Sequence, residues 1–439
     1  MQDAQFLSVL EQMIPAQQLK AICKRYAPRP RTARKLASEA LVSSLIFHQL
    51  QPGGTLAEHG AQLHGIRMSD SAFSQRRQLL AVELFDQIMR VALQPLADPA
   101  RQPQSFYEGY RLVGVDGTQW SVGNAPAIVT ALPKAASRRL RAAFAKLRLV
   151  SLVELGTHAP LAALTAPVKE SEQALARKLW GKVPDGSLLI GDRLFGTPYT
   201  VWGAVNAWGD RDVQALVRVR DNINAEVVQR LPDGSALVEV VVHEEGRKVG
   251  KLQLREIRAQ GMGVNGKRFK LRLWTTLLDP MRYPAETLAR HYAERWEHEL
   301  YYRELKLDVR NAPILASHTV ETALQEVSAL VLASAALARL RVSAADQLEL
   351  PASRMSFFKV MLATQQLWST LEFIGAVLTQ AQRTQIWEKY MDTVRHTAVL
   401  RERRERSCPR VLHQPVKSWP RKTNPRSRTG QVEIKVVRV

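Results

Sequence analysis

Apolar positions recur every three to four residues through the first hundred positions, in FLSVLEQMI and LASEALVSSLIFHQL, with PRPRT and QPGG as breaks. This predicts a helical N-terminal domain over residues 1–105. Inside it, TLAEHGAQLHG, a turn at IRMSDS, and AFSQRRQLLAVELFDQIM have the outline of a helix-turn-helix. Ser69, Ser71, Ser74, Gln75, Arg76 and Arg77 open its second helix, the part that enters a major groove in such motifs. From Tyr110 the pattern changes. RLVGVDGTQ, KLRLVSLVEL and PLAALTAP read as strands, Lys169 to Trp180 as an amphipathic helix, and SLLIG as a buried strand delivering Asp192. Thr197 to Trp208 is helical again and VQALVRVR returns to strand, which together predict a mixed α/β core over 106–222, resumed at 279–345. Between the two pieces, 223–278 is rich in β-branched residues, has turns at Pro232-Asp233-Gly234 and Asn265-Gly266, and loses helical periodicity. It predicts an all-β insertion. Helical periodicity resumes at Thr319 to Leu340 and Phe357 to Thr393, giving a helical C-terminal region with its last part at 346–395.

Charge adds a partner to this outline. Sixty-two Lys and Arg against 41 Asp and Glu leave +21 over 439 residues, which favours a polyanion, most often nucleic acid. A basic tail, 396–439, carries 12 Lys/Arg against 3 Glu and four prolines; it reads as an extended or disordered arm. Cys23 and Cys408 stand far apart without metal-ligand spacing, which argues against a zinc site or a disulfide framework. No basic segment followed by an apolar run opens the chain, and the most apolar stretch, Val327 to Ala338, is too short to span a bilayer. The expectation is a cytoplasmic, nucleoid-associated protein without a membrane partner.

Candidate chemistry lies in HYAERWEHELYYRELKLDVR, His291 to Arg310. Wound as one α-helix at about 100° per residue, it gathers Tyr292, Arg295, Glu299, Arg303 and Lys306 on an arc of roughly 60°. Glu294, Glu297, Glu304 and Asp308 point elsewhere. One acid among cations and a phenol suits phosphate handling around a metal ion. Asp116 and Asp192 are expected at strand ends, where ligands collect in α/β sheets. Three carboxylates from separate elements suit a hard divalent cation. Each has an ordinary alternative: Asp116-Gly117 as a turn, Asp192 as a cap or an ion pair with Arg193, Glu299 as an i,i+4 partner of Arg295 or Arg303.

The spacing Tyr292-x2-Arg295-x3-Glu299-x6-Lys306 resembles the Tyr-Arg-Glu-Lys signature of the insertion-sequence-four family of bacterial cut-and-paste transposases. GVDGT around Asp116 and LLIGDRLF around Asp192 resemble that family's first and second catalytic aspartates. The resemblance runs from Leu112 to Arg310 and implies a ribonuclease-H-like catalytic core. It further implies that Asp116, Asp192 and Glu299 hold two Mg²⁺ ions, with Mn²⁺ as a substitute, and that Tyr292, Arg295 and Lys306 contact phosphates. Arg193, next to Asp192, and Arg303, on the same arc, are further candidate phosphate contacts of this sequence. The partners implied are double-stranded DNA, as transposon ends and target, and a second copy of the chain on paired inverted repeats. Nicking, hairpin formation and strand transfer are the implied steps. Some relatives stack a flipped base on a tryptophan of the insertion. Trp274 is the insertion's tryptophan, but its distance to Tyr292 departs from that family's pattern, which favours a buried strand residue over a base-stacking one. A metal-dependent nuclease of the same fold without strand transfer, or a non-enzymatic DNA-binding protein, remain the alternatives.

Overall fold

The computed structural model describes residues 6–27, 36–134, 142–262, 268–400 and 433–437. The expected turn at Asn265-Gly266 and all of the basic tail except residues 396–400 and 433–437 lie outside them. The chain divides into two compact units, residues 1–106, 113–183 and 297–399 in the first and 107–112, 184–296 and 400–439 in the second.

The first unit opens with six helices, α1 (Phe6–Met13), α2 (Ala16–Tyr26), α3 (Ser38–His48), α4 (Leu56–His64), α5 (Asp70–Gln78) and α6 (Val82–Ala92). α3 is buried continuously from Leu41 to Phe47, with α1, α2 and α4 packed against it, while α6 packs on α2. Phe6, Phe47 and Trp368 meet there with ring centroids about 5 Å apart. Local chemistry sets the ends of α4: Thr55 and Glu58 form a reciprocal capping box, and Gly65 closes the helix at φ 64°. α5, capped by Ser69, corrects part of the groove-reading expectation. Arg77 donates to Gln325, Ser317 and the Thr322 carbonyl, and Arg76 donates to the Leu36 carbonyl. These two cations are latches inside the unit, while Ser71, Ser74 and Gln75 stay exposed.

After β1 (Phe106–Tyr107), strands β2 (Tyr110–Val122), β3 (Ala145–Glu154) and β4 (Ala159–Pro167) form an antiparallel meander, with α7 (Pro126–Ala131) before β3 and α8 (Glu172–Arg177) after β4. The predicted amphipathic helix over 169–180 is thus shorter than its periodicity implied.

In the second unit, β5 (Ser187–Gly196) runs parallel to β6 (Val213–Val219). The connecting α9 (Pro198–Trp208) is capped by the Thr197 hydroxyl. The insertion is all β as expected: β7 (Glu226–Arg230), β8 (Ala236–Glu244), β9 (Arg247–Met262) and β10 (Arg268–Thr275). β10 joins it to β6 antiparallel, and α10 (Ala285–Tyr292) follows.

Back in the first unit, α11 (Trp296–Arg303) begins at the boundary, and β11 (Ile314–Leu315) pairs with β2. α12 (Val320–Gln347) is its longest element. It extends well beyond the apolar run read from the sequence and is long and apolar enough to cross a membrane, yet 89% of its most apolar window is buried inside the protein. That is the burial of a core helix. α13 (Phe357–Ile374) and α14 (Gln380–Ala398) complete the unit. Five residues of the tail, β12 (Glu433–Val437), form a strand on β9 in the second unit.

Candidate active site

Asp116 lies in the middle of β2, opposite Ser151 of β3, not at a strand end and not in a turn. The glycines on either side explain the motif around it. A Cβ at Gly114 would come within 2.8 Å of His298 and 2.6 Å of Leu155. A Cβ at Gly117 would fall 2.3 Å from the Glu172 carboxyl carbon. Glycine at both positions lets α11 and α8 close on the strand beside Asp116. One Asp116 oxygen accepts from the Gly117 N–H at 2.8 Å, which fixes the carboxylate's direction.

α11 is tied to this strand pair by its own side chains. The Tyr302 hydroxyl donates to the Asp116 carbonyl at 2.6 Å and lies 2.9 Å from Ser151 Oγ. His298 Nε2 sits 3.0 Å from Ser151 Oγ. Burial, then the Asp116 carboxylate, holds the Tyr302 phenol well above its ordinary range, so it remains a neutral donor. Glu299 stands between these two anchors in sequence and is half-buried.

The stretch from His291 to Arg310 is not one regular helix. α10 ends at Tyr292, a 3₁₀ turn covers Ala293–Arg295, α11 runs to Arg303, and a π-helix covers Glu304–Val309. The tighter and wider windings replace the single 100° step, so the 60° arc does not survive as drawn. The π segment aims Lys306 at β2. Its Nζ donates to the Gln119 carbonyl at 2.9 Å and lies 5.4 Å from the Trp120 ring centroid. Burial, then the Lys146 charge, lowers its pKa to about 8. Arg303 is exposed.

In the second unit, Asp192 occupies the stretch of β5 where the ladder to β6 lapses, between Gly191 and Gly196. It is half-buried, and its Oδ1 accepts from the Leu194 N–H at 2.7 Å. Tyr292 is buried; desolvation raises its pKa, Arg295 and Arg218 pull it down, and Asp192 pushes it up. Asp192, Tyr292, Arg295 and Arg218 therefore share one neighbourhood, and Arg218 is a member the sequence reading did not single out. Arg193 is exposed.

Trp274 is wholly buried, and its indole N–H donates to Glu256 at 2.9 Å. Arg272 binds the same carboxylate at 2.8 Å. The expectation that a flipped base stacks on Trp274 is corrected on this ground: neither ring face is open to a ligand.

Sequence reasoning also missed a buried network in the first unit. His158, at φ 56°, lies 2.9 Å from Glu297 and 2.8 Å from Glu304, and Arg341 Nη1 lies 3.2 Å from Glu304. The signal was present: Glu297 and Glu304, seven residues apart, share a helical face. Among the described residues, no three His, Cys, Asp or Glu side chains converge closely enough to hold one metal ion.

An α/β enzyme that places carboxylates on central strands and on a helix, in so basic a chain, belongs to the class that acts on nucleic acid phosphates. The family model described as "Transposase DDE domain" matches residues 107–333, and the chain belongs to that family. It is a DNA transposase with a ribonuclease-H-like core, a polynucleotidyl transferase and endonuclease by class, in a family that works with divalent metal ions. The transposase InsG of insertion sequence element IS4 from Escherichia coli K12 is 26% identical over 364 residues, covering 82% of this chain and 79% of that protein. The putative transposase InsZ of the same organism is 30% identical over 129 residues, 29% of this chain and 43% of that one. A solved synaptic complex of piggyBac transposase with hairpin DNA aligns with a TM-score of 0.48 at 8% identity, covering 89% of this chain and 86% of that chain.

Proposed function

We propose that the chain excises an insertion sequence bounded by terminal inverted repeats and joins it to target DNA, with Asp116, Asp192 and Glu299 as the ligands of two Mg²⁺ ions. The observation that carries this is the construction around Asp116: two glycines admit α8 and α11 to the strand, and Tyr302 and His298 fix the helix that bears Glu299. The donor chemistry suits Mg²⁺, since three carboxylate side chains are hard oxygen ligands of the kind it takes; among the described residues they do not converge on one ion, and their meeting on the ions is part of this proposal. When bound, the two ions supply charge stabilisation to the attacking and leaving oxygens of an in-line displacement at phosphorus.

The chain's own groups have separate tasks. Tyr292, kept neutral, donates a hydrogen bond to a phosphate oxygen, and Arg295 offers forked, charge-assisted bonds beside it. Lys306 supplies a point charge from the β2 side. Arg193 and Arg303, both exposed, add to the phosphate-binding surface. The helical segment 1–105 and the tail at 396–439 hold flanking DNA, two copies act on paired ends, and the protein works in the cytoplasm on the nucleoid. Purified protein with Mg²⁺ and DNA carrying the element's own terminal repeats is expected to nick, excise and join. Cleavage without joined products would instead select the nuclease reading, and binding without cleavage the non-enzymatic one.

Lys306 makes affinity pH-dependent. Its ammonium is fully charged below its pKa of about 8 and is lost as the pH rises through that value. A phosphate beside it restores the charge, so binding takes up a proton above pH 8. Affinity for end DNA is expected to fall between pH 7.5 and 9.5 by at most about tenfold per unit. Lys306→Gln should bind more weakly at pH 7 and show a flatter profile. An unchanged profile in that variant would remove Lys306 from the DNA contact.

A further inference from the structure

β9 is the central strand of a three-stranded patch in the second unit. On one edge β10 pairs with Arg255 to Met262, and on the other β12 pairs with Arg258 to Met262. Residues directly opposite one another in antiparallel strands share a face. The register therefore places Arg258 and Gln260 of β9, Arg268, Lys270 and Arg272 of β10, and Lys435 of β12 on one face. Burial agrees. Arg258, Gln260, Arg268, Lys270 and Lys435 are exposed, whereas the alternate residues Ile257, Ala259, Phe269, Leu271 and Leu273 are buried or half-buried.

That face changes character along its length. Towards β8 it carries Val238, Val240, Leu252, Leu254 and Trp274, packed with Val201 of α9. Beyond Arg258 it is open and cationic. Its internal acid, Glu256, is already engaged by Arg272, Trp274 and Arg258, and Glu433 stands at the register position of Met262. The β8–β9 hairpin is different: Arg247, Lys248 and Lys251 are interleaved there with Glu239, Glu244 and Glu245, and Lys251 is paired with Glu239. Arg258 and Arg272 thus share Glu256, while among the described residues Arg268, Lys270 and Lys435 form no ion pair, so the uncompensated charge of the β9–β10–β12 face lies on these three. Arg268 and Lys270 stand about 7 Å apart along β10, and Lys435 lies two strand spacings, about 10 Å, from Lys270.

We propose that this face is a docking surface for the phosphate backbone of duplex DNA, with Arg268, Lys270 and Lys435 as its contacts and Arg258 at its inner border. It rests on the reading of the chain as a DNA transposase and adds a surface remote in sequence from the Tyr-Arg-Glu-Lys stretch. A duplex strand presents a charge about every 3.4 Å of helix axis, so a patch this size meets two or three phosphates. Contacts of this kind hold DNA without reading its sequence.

The test is the salt dependence of binding, measured by fluorescence anisotropy on two duplexes, one with the terminal repeat and one of unrelated sequence. In full-length Arg268→Gln/Lys270→Gln/Lys435→Gln, the slope of log affinity against log salt is expected to shrink by about 2 to 3, with affinity about 10- to 100-fold weaker near 0.1 M salt. The charge-preserving Arg268→Lys/Lys270→Arg/Lys435→Arg should keep the wild-type slope, which separates charge from any loss of folding. A reduced slope on both duplexes supports backbone docking in general; a reduced slope on one alone assigns the surface to the end or to the target. Wild-type binding with an unchanged slope in the Gln variant overturns the surface alone. Wild-type protein that bound neither duplex would overturn the DNA reading and the surface with it.

Discussion

Glu299→Gln is expected to lower strand cleavage by more than about 100-fold while leaving end-DNA binding within a few-fold of wild type. Even the outer partners of metal ligands cost about 10- to 100-fold when removed, and a ligand should cost more. The amide keeps the shape and the half-buried setting of the side chain, so folding should change little. The anchors of α11, His298 and Tyr302 on Ser151 and the Asp116 carbonyl, are untouched by the substitution. Titration with Mn²⁺, followed calorimetrically, gives a readout independent of cleavage: the variant should take up the ion more weakly. Asp116→Asn should behave in the same way, since Asp116 and the α11 anchors share one strand pair. Undiminished cleavage in either variant, or unaltered Mn²⁺ uptake in both, would sink the proposed ligand assignment.

How much of this was legible in the sequence depended on the range over which each cause acts. Helical periodicity, the β-rich composition of 223–278 and the strand patterns around Asp116 and Asp192 are local, and they were readable. The Gly-x-Asp-Gly motif was visible as a motif, but its reason was not. Gly114 answers to His298 and Gly117 to Glu172, and neither contact can be inferred from neighbouring residues. Arg76 and Arg77 looked like groove readers because a basic helix start has the same composition whether it faces DNA or a buried glutamine 248 positions away. Uniform winding was assumed for His291 to Arg310, and the 3₁₀ and π segments broke it. The surroundings of its two ends are equally non-local: Tyr292 is buried in one unit, and Lys306 donates to the Gln119 carbonyl in the other. The basic face of β9, β10 and β12 was invisible for a similar reason, since Lys435 joins it from more than 150 residues away through strand pairing.

Arg341→Met is expected to cost about 3–5 kcal/mol of stability, the range for breaking a buried ion pair by removing one partner. Arg341 and Glu304 are both buried, and the guanidinium also donates to the Thr157 carbonyl. Methionine fills similar volume against Phe357, over which Arg341 now lies, so the loss should come from charge and not from a cavity. The pH dependence distinguishes the two. His158 and Arg341 hold the Glu304 carboxyl below its ordinary range despite its burial; its contribution is present above about pH 4.5 and is lost as the pH falls through its folded pKa. His158 is raised by Glu304 and Glu297 against the opposing effect of burial. Its contribution is complete below about pH 6.5 and is lost as the pH rises through its folded value. The network therefore stabilises most between those limits. In Arg341→Met, Glu304 loses one depressing charge and His158 loses a repelling one, so both limbs should move to higher pH. Urea denaturation at intervals from pH 4 to 9 would show it, and a loss under about 1 kcal/mol with both limbs unmoved would mean the network does not hold α11 and its π extension. Because Glu297 and Glu304 bracket Glu299, the same variant should also weaken cleavage while leaving salt-dependent DNA binding close to wild type.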